Sequence, residues 1–214
     1  MRSKFDEQLA LLNRDLTKMG SLCEEALALA AKALANADGQ TAAKIAPIDS
    51  EIDQMERTIE SLCLKLLLQQ QPVARDLRQI SAALKMITDL ERIFDQASSI
   101  AEIIGFLNGR IGLDAQYICQ MAVAAMRMVT ESVEAYVKRD VAMAEATIQH
   151  DDVVDDLFLK VKDSLIQMIS ENPKDGEYAL DLLMIAKYFE RIGDHATNIA
   201  EWVVFSVTGV HEQG

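Results

Sequence analysis

The chain has 214 residues, half of them apolar, and a formal net charge of −13. That length and composition support a sizeable core in one or two domains, while Lys and Arg scattered along the sequence weigh against a nucleic-acid partner, which needs them clustered. Surplus negative charge suits cations or basic protein partners, or it is simply solvated helix surface.

Three prolines, nine glycines and long Ala, Leu, Met, Glu and Lys stretches favour helix throughout, and no alternating run of β-branched residues marks a strand. The reading is all-α. Cys23, Cys63 and Cys119 are odd in number and far apart, so neither a disulfide framework nor a zinc ribbon is indicated. No secretory core follows the start, and the longest apolar run, Leu62 to Leu68, is interrupted by Lys65 and too short to span a bilayer. The expected location is cytoplasmic, without membrane insertion.

In chain order, Leu9, Leu12, Leu16, Met19, Cys23, Ala26, Ala30 and Ala33 alternate steps of three and four and predict a helix over about residues 3–37. Asp38-Gly39 supplies its stop, with Gly39 as the left-handed residue. Ile45, Ile48, Ile52, Met55, Ile59, Leu62 and Leu66 predict a second helix that ends before Pro72, with Pro47 either beginning or kinking it. A third carries Ala83, Met86, Leu90, Ile93, Ala97, Ile100 and Ile104 to the cluster Gly105, Gly109 and Gly112, which separates the halves 1–108 and 109–214. The second half repeats the plan: a helix over about residues 113–137, a break at Lys138-Arg139-Asp140, a helix to about Ser170, a turn at residues 172–176, and a last helix to about Val207. Long helices with short loops pack antiparallel, so six of them make two tandem three-helix bundles.

An internal repeat supports that division. Residues 91–102 match residues 190–201 at eight of twelve positions with an offset of 99, where chance gives about one. At an offset of 102, Asp49 and Asp53 align with Asp151 and Asp155. Each half therefore holds two pairs of acids four residues apart: Asp49/Asp53 with Glu91/Asp95, and Asp151/Asp155 with Glu190/Asp194. Four-residue spacing puts both members on one helix face. Folding each hairpin about its proline turn brings the two pairs of a half to one level. Four carboxylates converging without an interleaved lysine repel, and a hard or borderline cation (Mg, Mn, Ca or iron) relieves them.

Helical phase sets the depth of these sites. The stripe Leu183, Lys187, Glu190, Asp194, Thr197, Glu201 lies more than a quarter turn from the apolar stripe of the same helix, which places any metal at a bundle shoulder near the surface. A single acid pair at this spacing is ordinarily a solvated face, paired here with Arg92 or Arg191; four pairs at matched levels argue for more. A di-iron carboxylate enzyme would need Glu-x-x-His ligands, and His150, His195 and His211 have Thr147, Ile192 and Thr208 three positions earlier. His195 flanks the last acid pair as a possible extra ligand or a hydrogen-bonded surface group, and His150, aligned with Ile48, reads as a satisfied core group. No catalytic triad, phosphate loop or dinucleotide fingerprint is present.

The segment Glu190-Arg191-Ile192-Gly193-Asp194-His195-Ala196 followed by Asn198-Ile199-Ala200-Glu201, its weaker copy Asp89-Leu90-Glu91-Arg92-Ile93-Phe94-Asp95, the Phe5-Asp6 start and Met19-Gly20 resemble the PhoU family of bacterial phosphate-signalling proteins over nearly the whole chain. The resemblance implies a non-enzymatic, often homodimeric negative regulator of the phosphate-starvation response, linking a phosphate ABC transporter, through its ATPase, to a sensor histidine kinase. It also implies multinuclear metal sites, with ligands falling on Asp49, Asp53, Glu91, Asp95, Asp151, Asp155, Glu190 and Asp194, for divalent or trivalent ions such as iron, zinc, manganese or magnesium. Phe94, Gln96 and Ser99 depart from the family pattern, and Phe94 in place of glycine is expected to crowd the first-half site. The alternative is a helical metal-binding or storage protein with no phosphate role.

Overall fold

The computed structural model describes residues 2–69, 73–107, 109–110 and 115–210, and every regular element in them is helical. Pro72, Gly112 and His211 lie outside the described residues. The helices are α1 (Arg2–Asn36), α2 (Gly39–Ala42), α3 (Asp49–Gln69), α4 (Ala74–Phe106), α5 (Gln116–Lys138), α6 (Val141–Gln149), α7 (Asp151–Glu171) and α8 (Gly176–Thr208). Six are long, and they form the two repeated three-helix bundles, α1/α3/α4 and α5/α7/α8.

The apolar stripe of α1 is buried from Leu12 through Ala33, as its spacing requires, while Leu9 is only partly covered. The left-handed residue after α1 is Ala37 (φ 53), not Gly39. The reason is local: Asp38 is extended and caps α2 by accepting from Gln40 N, so the chain must reverse one residue earlier. There the Asp38 amide donates to Ala33 O at 2.9 Å and closes a Schellman turn. The second half copies this corner. Arg139 is left-handed (φ 58), the Asp140 amide donates to Ala135 O at 2.9 Å, and Asp140 caps α6 through Met143 N.

The second helix of each half is broken at equivalent points. In the first half a single 3-10 turn, Ala46–Ile48, holds Pro47 and feeds α3; in the second, His150 ends α6 and begins α7. The expected continuous helix up to Ser170 is thus two helices. At the last hairpin Asn172 Oδ1 accepts from Lys174 N, and Pro173–Asp175 make a 3-10 turn into α8.

The two bundles share one continuous hydrophobic core. α4 packs along α8 and α1 along α5, so each half covers the other's exposed helix faces. Gly20 permits the α1–α5 approach, since a Cβ there would stand 3.1 Å from Val133 Cγ2. Arg110, just beyond α4, pairs with Asp175 at 2.5 Å and stacks 4.2 Å over the Tyr178 ring, fastening the boundary segment to the start of α8. Among the described residues no helix is long and apolar enough to cross a membrane.

Candidate metal centres at the helix shoulders

The eight acids fall in two groups, one per half, at the outer seams α3/α4 and α7/α8. Asp49 and Asp53 begin α3, and Glu91 and Asp95 sit on α4. Burial pushes the Glu91 carboxyl up, and the charges of Asp95, Glu56 and Asp53 add to it, with Arg92 opposing. Asp95, though exposed, is raised by partial loss of water around it and by Asp49 and Asp53, again against Arg92. The charges of these acids therefore act on one another across the α3/α4 seam, and Glu56, one turn beyond Asp53, adds to them. None is fully buried, and Asp49 and Asp95 are exposed, which agrees with the shoulder position that helical phase predicts.

The second group is tighter. Asp151 is pushed up to about 6, first by partial burial and then by Asp194, Asp155, Glu190 and Asp152. Asp155 and Asp194 are also raised, by burial and by Glu190. Close approach is possible because Gly193 is bare: a Cβ there would lie 3.0 Å from Asp151 Oδ1 and 3.6 Å from Val154 Cγ1. At the aligned position Phe94 fills the core at 1 % exposure, and Asp49, the counterpart of Asp151, stays at the surface.

One expectation needs correction. A lysine is interleaved: Lys187 Nζ donates to Glu190 Oε1 at 2.5 Å, one helical turn before it, and opposes the raised carboxyls of Asp155 and Asp194. Glu190 Oε2 is buried and lacks a hydrogen bond, although Lys187 makes ion-pair contact with it. In the first group Arg57 holds Asp53 at 2.8 Å.

The donor set, carboxylates short of hydrogen-bond donors, is suited to hard cations. Among the described residues no three Asp, Glu, His or Cys side chains are gathered closely enough to hold an ion as they stand. Ligation would require rotation of exposed Asp and Glu side chains and release of Lys187 from Glu190.

His195 and His150 pair with acids outside the eight. His195 Nδ1 is 2.9 Å from Asp89 Oδ1, and Asn198 Nδ2 donates to the same oxygen at 3.3 Å. Asp89 belongs to α4, so this contact joins the two halves. His150 is not a core group. It is half-buried, with Nδ1 3.1 Å from Glu131 Oε2, and Glu131 also receives Arg127 at 2.7 Å. A cavity of about 850 Å³ between α5 and α7 is lined by Cys119, Val123, Ala124, Val153 and Leu157 among others, and none of the eight acids lines it.

The PhoU domain profile matches the chain twice, over residues 16–104 and 118–203. A phosphate-specific transport system accessory protein PhoU homolog from Clostridium acetobutylicum is 36% identical over 210 residues, covering 97% of this chain and 96% of that protein. The corresponding homolog from Pseudomonas aeruginosa is 34% identical over 96% of this chain and 86% of its own length. The crystal structure of PhoU from P. aeruginosa superposes with a TM-score of 0.92 at 34% identity, over 96% of this chain and all of that one. The phosphate transport system regulatory protein PhoU from Streptococcus pneumoniae gives a TM-score of 0.88 at 26% identity, over 98% of this chain and 99% of its own. The repeated bundles and these matches along both halves agree: the chain belongs to the PhoU family.

Proposed function

We propose that this chain is a cytoplasmic negative regulator of the phosphate-starvation response that couples a phosphate ABC transporter, through its ATPase, to a sensor histidine kinase, working as a homodimer and without catalysis of its own. The reading rests on family membership, because relatives matching nearly the whole chain are named accessory proteins of phosphate-specific transport. Deletion of the gene should derepress a phosphate-starvation reporter at high phosphate. An unchanged reporter would overturn the regulatory role.

The same proposal assigns cation binding to Asp49, Asp53, Glu91 and Asp95 in one half and Asp151, Asp155, Glu190 and Asp194 in the other. The single observation that carries it is Asp151, held against α8 by the bare Gly193 among three other acids and pushed up to about 6. A bound cation would replace Lys187 as the counter-charge and satisfy Glu190 Oε2. Iron, zinc, manganese or magnesium would each suit oxygen ligands at such a seam.

A further inference from the structure

A connected polar network occupies one corner of the molecule, where the ends of α4 and α5 meet the first turns of α1. Tyr136 Oη donates to the Gln79 carbonyl at 3.1 Å, Arg139 Nη1 donates to Gln79 Oε1 at 2.9 Å, and Gln79 Nε2 donates to Asn13 Oδ1 at 3.3 Å. Gln79 is 7% exposed and Tyr136 1%. Buried polar networks are costly unless their members are satisfied, and a satisfied one holds its members in one geometry.

The repeat forms the same corner without it. With the offsets of 102 and 99, the positions equivalent to Asn13, Gln79, Tyr136 and Arg139 are Ala115, Tyr178, Leu34 and Ala37. The backbone corner is the same in both halves, with Ala37 at φ 53 and Arg139 at φ 58. Only one copy carries the guanidinium and the amides that hold it.

Arg139, Gln79 and Asn13 line a cavity of about 410 Å³ together with Arg75; Leu9 and Ala10 supply apolar wall, and Asp6 and Asp76 also border it. Arg78 stands nearby, its guanidinium 3.5 Å from where a Cβ of Gly209 would be, with Nε buried and without a hydrogen bond. Among the described residues none of these three arginines forms an ion pair, despite Asp6 and Asp76. Burial, followed by the charge of Arg75, depresses the Arg139 pKa, with Arg78 acting in the same direction and Asp76 against it. α4 starts here at Ala74, and Val73 offers its first-turn amides no side-chain cap.

We infer that this corner binds a phosphate-type tetrahedral oxyanion, free inorganic phosphate or a phosphomonoester, between Arg75 and Arg139. A guanidinium fork matches two oxygens of such an ion, and the first-turn amides of α4, offset in part by Asp76 in the same turn, face it from the same side. One donor of Arg139 is spent on Gln79, which fixes the plane of the group and leaves its other N–H groups for the ligand. Neither the acidic seams nor the regulatory role is needed for this binding.

The test is a titration of the full chain, treated with chelator, with inorganic phosphate and with methyl phosphate at constant ionic strength, followed by thermal unfolding and phosphorus NMR. A ligand that binds only the folded state raises the melting temperature in a saturable way. Arg75→Gln and Arg139→Gln should each weaken that response about tenfold or more, the scale of a lost hydrogen bond to a charged group, while Glu190→Gln leaves it unchanged. Arg75 makes no bond within the network, so its variant stays informative should Arg139→Gln fail to fold. A response to both ligands assigns the site to phosphate esters as well, and a response to inorganic phosphate alone assigns it to the free ion. No saturable response to either, or one retained at full affinity in Arg75→Gln, overturns the inference.

Discussion

Gly193 and Phe94 occupy the same repeat position and set the difference between the two acidic seams. The bare glycine lets Asp151 lie against α8, whereas the phenylalanine ring goes into the core and leaves Asp49 outside. Gly193→Ala gains about 1 kcal/mol of helix propensity, yet its new methyl must displace Asp151. The metal-free protein should therefore melt no lower than wild type, while the rise in melting temperature on adding manganese shrinks; an unchanged rise would show that Asp151 need not sit there. The raised carboxyls also fix a pH dependence. Asp151 titrates near 6 in the folded chain against 3.8 in the unfolded chain, so its folded form binds the proton more tightly. Its contribution is fully present below about pH 4 and is lost as pH rises through about 6, and Glu56, Glu91, Asp95, Asp155 and Asp194 shift in the same direction. Denaturant unfolding of metal-free protein should give a midpoint that falls over that window through these acids, and added cation should reverse the fall. Asp38 and Asp175, lowered by Thr41 and Arg110, act oppositely at lower pH.

At the scale of single elements, spacing alone put the two acids of each pair on one helix face, because carboxylates four residues apart share a face. It did not reveal Lys187 as the partner of Glu190, although a cation three residues before an acid is a readable signal. It also missed Glu56, which continues the Asp53 face by one turn. The Asp89–His195 pair had no sequence signal at all, since its partners are 106 residues apart and come from different halves. Short helices were harder still: α2 and α6 exist because Asp38 and Asp140 turn from stop residues into caps, a choice made by side-chain hydrogen bonds rather than by periodicity. Asp140→Ala removes the bond from Met143 N and should cost about 1 kcal/mol in chemical denaturation, the usual worth of such a cap. A loss of zero would mean that α6 is held by its packing on α8 alone.

At the scale of the molecule, two bundles were legible because each long helix has a single apolar stripe and a repeat partner. Their fusion into one core was not, because Gly20 and Asp89 act across the halves and nothing local announces which helices will meet. The outcome is a frame in which α4 and α8 lie side by side, each lending one wall to an acidic seam on its outer edge. These seams are the centre of the account. Metal content, measured by elemental analysis on protein purified without chelator, tests them most directly for wild type, Glu91→Ala with Asp95→Ala, and Glu190→Ala with Asp194→Ala. Wild type should carry bound metal, the first double variant should show a smaller loss, and the second the larger loss. Equal metal in all three proteins would contradict it.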